Sequence, residues 1–371
     1  MLIALVFSGI VLAAASTSAA GAALEGTETE IISEYGNQFY PVITEDYIVW
    51  QDEREDNFDI YMYDLESGRT EVPVFSGSRD EIDPAVSGTH LVVADDRRKN
   101  FDIYLYDLES GKETQITTDS KDQTEPAIWE NTIVWTDRRN QHLDIYMYDL
   151  GSGTETRVTT NTDDQTQPDV GENIIVWTDT RNGNDDIYMY DISTGKESPV
   201  VTDTADQSKP AVDGDYIVWE DRRNGNLDIY MYEISTGREI AVSTHSSAQK
   251  DPAISEGRIV WTDSRGDGTN IYIYDISSET LKTVSTASAY QSNPAIDGNK
   301  IVWQDKRSGS MDIYLFTAEE PAGGEASGGE ASGGETPESE SEAKESPLGS
   351  FIAATSITMA YFIVAGRKKK N

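Results

Sequence analysis

The chain has 371 residues, a formal net charge of −38, three histidines and no cysteine. So acidic a chain lacks the basic footprint that a phosphate backbone requires, which excludes nucleic acid as a partner. The missing thiols exclude disulfides and thiolate metal sites, so stability must come from packing a core that 37% hydrophobic residues can supply.

Residues 1–23 run from an apolar stretch, LIALVFSGIVLAAA, into the small-residue sequence STSAAGAA, the pattern of a signal peptide with its cleavage zone. No Lys or Arg precedes the apolar run, so a cleaved leader, an uncleaved anchor and a misplaced start all stay open.

From there to residue 317 one sentence is written seven times. Prolines stand at 41, 84, 126, 168, 210, 252 and 294, and nine residues after each comes Trp50, Val93, Trp135, Trp177, Trp219, Trp261 or Trp303. An Asp follows two places on and an Arg two beyond that, then a phrase of the form DIYxY. Each copy holds four strand-like runs separated by turn signals; in the fifth copy they are PAV, YIVWE, DIYMYEI and EIAVST. Four strands in about 42 residues, repeated seven times, predict an all-β, seven-bladed β-propeller of four-stranded blades over 24–317. The last copy stops after its third strand, DIYLF, and the segment before the first copy aligns with a fourth strand: Glu28 falls on Glu113, Ile31 on Ile116 and Gln38 on Gln123. The N-terminal strand is therefore expected to close the last blade, removing two free edges at once.

Two repeated features look chemical and are read as structural. DRRNGNLD, starting at Asp221, resembles a calcium loop, yet Arg223 occupies a position that would need an oxygen ligand, and a guanidinium has no lone pair to give. The expectation is a hairpin loop in which Arg223 bridges Asp221 and Asp228 as a latch. The six tryptophans are expected to form a buried ring, each removing about 150–250 Å² from water.

Residues 318–347, rich in Gly, Ser and Glu, cannot offset ordering entropy and read as a disordered stalk. The uncharged run 348–366 would span about 28 Å as a transmembrane helix, and the basic residues of 367–371 place the C-terminal tail in the cytoplasm and the propeller outside. The run PLGSF ahead of the span is similar to the sorting signals of archaeal surface proteins, with the usual Pro-Gly-Phe interrupted.

The phrase W-x-D-x-R-x-x-x-x-D-I-Y-x-Y-D, with its S/T-G turn and T-terminated fourth strand, resembles the TolB-type (WD-like) propeller repeat over about 26–317. Together with the signal and anchor, the chain is similar to methanogen (archaeal) cell-surface proteins. The resemblance implies that loops between the second and third strands, and between blades, emerge on one face. That face would carry a nearly complete Gln row (Gln38, Gln123, Gln165, Gln207, Gln249 and Gln291, with Glu81 the exception) and a variable ring before each proline: Tyr40, Asp83, Glu125, Gln167, Lys209, Asp251 and Asn293. These seven are the ligand-binding candidates at the channel mouth, and Trp129, alone in a first hairpin turn, is an eighth on the opposite face. His90, His142 and His245 fall in different loop classes, the sialidase box is absent, and no catalytic set is expected. The reading calls for no cofactor, although the acidic channel leaves room for a divalent cation. The expected function is a membrane-anchored, non-enzymatic surface module, a monomer or part of a surface layer, that binds or scaffolds protein or glycan ligands. An extracellular polysaccharide lyase or hydrolase is the alternative.

Overall fold

A computed structural model describes residues 22–32, 35–266 and 268–319. Most of the leader, the stalk from residue 320, the membrane span and the basic tail lie outside the described residues. Among the described residues no helix is long and apolar enough to cross a membrane.

The repeat folds as its periodicity dictates. Seven sheets are formed, each providing the four antiparallel strands of one blade, consecutive in the chain in the first six. In blade 5 these are Gln207–Asp213, Tyr216–Asp221, Asp228–Glu233 and Arg238–Ser243, from the channel outward. The second strand is covered on both faces, and its continuous apolar run is buried throughout: Ile217, Val218 and Trp219 are fully inaccessible. Ring closure follows the predicted route. Gly26–Ile32 pairs antiparallel with Asp312–Ala318, setting Glu30 opposite Tyr314, and completes blade 7. Gly26 is required there, since a Cβ would lie 2.3 Å from the Thr317 carbonyl oxygen. Ahead of it, Ala22 and Ala23 add a short parallel strand to the outer edge of blade 6, so the propeller takes in two residues of the stretch read as leader.

Six of the blades, all but the second, are locked by one stack of side chains, seen in blade 5. Two-residue periodicity puts Trp219 and Asp221 on one face of their strand. The indole stacks on Tyr230 with centroids 6.2 Å apart, and the Arg223 guanidinium lies 4.3 Å from that ring. Asp221 ties the two ends: its Oδ2 accepts from Trp219 Nε1 at 3.0 Å and from Arg223 Nη2 at 2.6 Å, while Oδ1 accepts from the Arg223 backbone N–H and Nε at 2.9 Å each. The guanidinium therefore sits between a bidentate carboxylate clamp and a π face.

The second carboxylate of this latch is Glu239, not Asp228. Arg223 Nη1 donates to Glu239 on the outer strand of the same blade, because stacking on Tyr230 aims the far edge of the guanidinium outward. The same pairing recurs as Arg139 with Glu155 and Arg181 with Glu197, and blade 7 draws its partner, Glu28, from the N-terminal strand. The latch thus also fastens the ring. Asp228 is held by the side-chain amides of Asn224 and Asn226 at 2.7 and 2.9 Å, and burial pushes its carboxyl above the usual range.

The Gln row ties neighbouring blades through its backbone. The N–H groups of Gln123, Gln165 and Gln207 each donate at 2.8 Å to a carbonyl of the preceding blade. Their side chains reach back to the carbonyl two residues earlier, and their buried Oε1 atoms have no protein partner. Glu81 occupies this position in blade 2, at 2% exposure. Burial, then the charges of Asp95 and Asp59, raise its carboxyl to about 8. The unfolded chain releases that proton near 4.5 and the folded one near 8, so the unfolded state binds fewer protons over this window and stability falls as pH rises through it, flattening above. Glu81→Gln is expected to raise stability at pH 8 by about 2 kcal/mol, less than the whole shift because the amide oxygen is again left unpaired. Urea unfolding of both forms at pH 5 and pH 8 checks it; equal pH dependence would rule out Glu81 as the source.

Candidate functional site

Every innermost strand carries the same irregularity. The ladder to the second strand breaks between Thr124 and Ala127 in blade 3, and at the equivalent place in all seven blades. The break holds the proline and the residue before it. Proline has no N–H to give the ladder, and the innermost edge beside the channel is where a bulge is tolerated. The preceding residue adopts a positive φ in each blade, from 49° at Tyr40 to 55° at Asp251. None of the seven is glycine, and a residue before proline is disfavoured in helical conformations, so each position is strained. Strain of this kind gathers where side chains must be aimed. Here five of the seven residues, Tyr40, Asp83, Lys209, Asp251 and Asn293, line one mouth of the central channel.

The ring does not act as a unit. Gln167 Oε1 accepts from the Lys209 backbone N–H at 3.1 Å and is oriented by Thr178 Oγ1 at 3.1 Å. Glu125 Oε2 does the same for Gln167, at 2.8 Å, oriented by Thr136 at 2.8 Å. Where the residue after the core tryptophan is Gln or Glu instead of Thr, that residue takes over: Gln304 accepts from the Tyr40 N–H at 3.0 Å, Gln51 from Asp83 at 3.3 Å and Glu220 from Asp251 at 2.8 Å. The mouth residues Tyr40 and Asn293 are thereby relieved of a scaffold role.

The remaining arc surrounds an open cavity of about 360 Å³, lined by Lys209, Asp251, Asn293, Tyr40 and Asp83 above a floor of repeat prolines. Lys209 Nζ lies 2.5 Å from Asp251 Oδ1 and 3.2 Å from Glu220 Oε1. Burial works against its charge, but Asp251 and Glu220 outweigh it and hold the ammonium above its usual pKa. Asp251 Oδ2 has no hydrogen-bond partner. Tyr40, 50% exposed, lines the cavity, its ring tilted against that of Phe39 with centroids 6.3 Å apart. Burial, then the nearby Glu125 carboxylate, push Asp83 up to about 6 against a backbone hydrogen bond from Glu125. The arrangement offers an ion pair, a carboxamide, a phenol and apolar proline rings within one concave surface. Such a set suits hydrogen-bonded recognition of a polyhydroxyl or peptide group.

Of the eight candidate binding residues, five line this cavity. Glu125 and Gln167 belong to its ring but are engaged by the scaffold, and Trp129 lies at the opposite mouth. Sequence reasoning missed the residue following each tryptophan, which decides which mouth side chains are engaged; Thr136 and Thr178 against Gln51, Glu220 and Gln304 were the available signal. The histidines are dispersed: His142 sits 3.2 Å from Asp144, and His245 accepts from the Ser247 N–H at 3.1 Å. Among the described residues no three His, Asp or Glu side chains are grouped to hold a metal ion.

A family model described as the TolB beta propeller domain matches residues 38–213, which is the first four blades and the innermost strand of the fifth. The fold is that of a TolB-like propeller. TolB from Acinetobacter baumannii superposes with a TM-score of 0.51 at 20% identity over 70% of this chain and 66% of its own, so the TolB-like propeller spans just under two thirds of that protein. An oligogalacturonate lyase, solved in complex with manganese, aligns at TM-score 0.61 and 12% identity over 81% of this chain and 96% of its own. The β-propeller domain of the Trilobed protease from Pyrococcus furiosus aligns at 0.61 and 14%, over 78% and 97%. No curated protein matches the sequence. At these identities the neighbours share the fold, and a TolB-like propeller is compatible with binding proteins and with enzymes.

Proposed function

We propose that the protein is a membrane-anchored extracellular propeller that binds protein or glycan ligands at the cell surface through the mouth lined by Lys209, Asp251, Asn293, Tyr40 and Asp83. It stands on the stalk read over 318–347, whose first residue, Ala318, ends the propeller's last strand, and on the span 348–366, alone or packed within a surface layer. The observation that carries the reading is the division of labour in the ring. Three side chains, Asp83, Glu125 and Gln167, accept from the backbone of the next blade, and the other four, Lys209, Asp251, Asn293 and Tyr40, stand in succession around an open cavity whose lining Asp83 completes. The single cation of that arc, Lys209, is already neutralised by Asp251 and Glu220, which favours a neutral ligand over an anionic one such as a uronate polymer.

The test is a glycan and peptide array probed with the full chain, with turnover of acidic polysaccharides followed in parallel. Tyr40→Ala and Asn293→Ala are each expected to weaken the captured ligand about tenfold, whereas Gln167→Ala should lower the melting temperature before it lowers affinity. Shortening of a polysaccharide chain without stable binding would overturn the binding reading in favour of a lyase or hydrolase. Protease shaving of intact cells, expected to release the propeller, checks its location.

A further inference from the structure

The opposite mouth of the channel is a different chemical object. Two places after each repeat proline stands an aliphatic residue, Ile43, Val170 and Ile296 among them, and these form the throat of a cavity of about 420 Å³. The rim carries Glu45, Asp46, Asp213 and Asp297, with the half-buried Trp129 beside them. The nearby cations are already engaged: Lys300 Nζ lies on the Glu45 carbonyl at 3.1 Å, and Arg258 pairs with Glu256 at 2.9 Å.

Within the wall stands a residue that breaks the repeat. The place after each repeat proline is Ala in five blades and Val in one, but in blade 4 it is Asp169. Its Oδ2 accepts from the Val212 N–H of the next blade at 2.8 Å, and no basic side chain faces it. A buried carboxylate without a counter-charge is costly, and burial raises this one to about 6. Asp213 and Asp297 are raised too, first by burial and further by nearby carboxylates, Glu256 among them, against the Glu256 N–H that Asp213 accepts at 2.7 Å and the Lys300 charge near Asp297. The carboxylates are spread round the funnel rather than grouped tightly enough to hold a metal ion. An apolar throat with an acidic rim and an indole at its side matches an amphipathic cation, whose stem packs and whose charge stays at the rim.

We propose that this mouth is a second docking site, which takes a lysine or arginine side chain projecting from a loop of a protein partner, its stem in the Ile/Val throat and its charge among Asp169, Asp213 and Asp297. The site is independent of the cavity at the other mouth, so the two stand or fall separately.

The test uses the full chain labelled with 5-fluorotryptophan, the Trp129 fluorine signal being assigned with Trp129→Phe. The probe is a cyclic hexapeptide with one Lys among Gly, Ala and Ser, compared with its norleucine counterpart. The Lys peptide is expected to shift the Trp129 signal saturably and to leave the signal of the buried Trp219 in place. Asp169→Ala restores the residue used in five other blades, so it should keep or raise the melting temperature while weakening the peptide about tenfold. Equal shifts from the norleucine peptide, undiminished binding to Asp169→Ala, or no saturable shift at about 10 mM peptide would each overturn the proposal. So would a simple diamine or calcium acting at the same concentration as the peptide, since the site would then belong to a free amine or a metal ion.

Discussion

Asp221→Ala is expected to destabilise the propeller by about 3–5 kcal/mol, although it removes a single carboxylate. The side chain is fully buried and accepts four hydrogen bonds, from the Trp219 indole and from the backbone and side chain of Arg223. Its loss leaves a buried indole N–H without an acceptor and a half-buried guanidinium with Glu239 as its remaining anion. Unpaired buried donors cost more than the net worth of the bonds they lose. Asp228→Ala should cost distinctly less, since its partners are the neutral amides of Asn224 and Asn226, which keep other acceptors: Asn226 already donates to the His245 and Ser247 carbonyls and Asn224 to the Tyr230 hydroxyl. Urea unfolding of the two variants ranks them, and a double-mutant cycle of Asp221 with Arg223 measures the coupling directly. Equal destabilisation by the two alanines would show that Asp221 is not the clamp of the stack.

The architecture was legible because it is written in spacing. Seven copies, a missing fourth strand and an N-terminal segment aligning Glu28 with Glu113 determine the closure, and the strand from Gly26 pairs where that alignment requires. The latch was legible only in part. Asp228 lies five residues from Arg223 and Glu239 sixteen, so proximity along the chain favoured the wrong carboxylate; the choice is made by the outer strand's register and by the stacking that directs the guanidinium. The mouth suffers from the same limit. Tyr40, Asp83, Glu125, Gln167, Lys209, Asp251 and Asn293 were visible as a variable ring, but whether a side chain is engaged depends on the residue beside it on the second strand and on a backbone N–H in the next blade. Asp169 was legible in the same way, as an acidic residue where five blades carry Ala, but it stands one place after the proline and outside the variable ring.

The departure in blade 2 leads to the second large effect. Val93 stands where six blades carry tryptophan, so Asp95 receives no indole and the stack loses its base. The space is not empty. Phe75, at the end of blade 1's outer strand, is 2% exposed and belongs to the same cluster as Val93 and Tyr104, with its ring edge-on to Tyr106 at 5.5 Å and 5.8 Å from the Arg97 guanidinium. The equivalent places hold Thr117, Thr159, Val201, Ser243, Ser285 and Ile32, all smaller than Phe. A small residue for a large one in blade 2 is therefore matched by the reverse exchange in blade 1, across one blade junction. Phe75→Thr alone should open a cavity and cost about 3–4 kcal/mol, and Val93→Trp alone should overpack the junction by about 1–3 kcal/mol. Made together, the two changes restore the pairing used elsewhere and give the new indole the Asp95 acceptor. The double variant is expected to recover at least about 2 kcal/mol of the summed losses, read from denaturant midpoints at unchanged slope. Strict additivity would mean that the two departures arose independently and that blade 2 tolerates its valine for a reason other than the phenylalanine beside it.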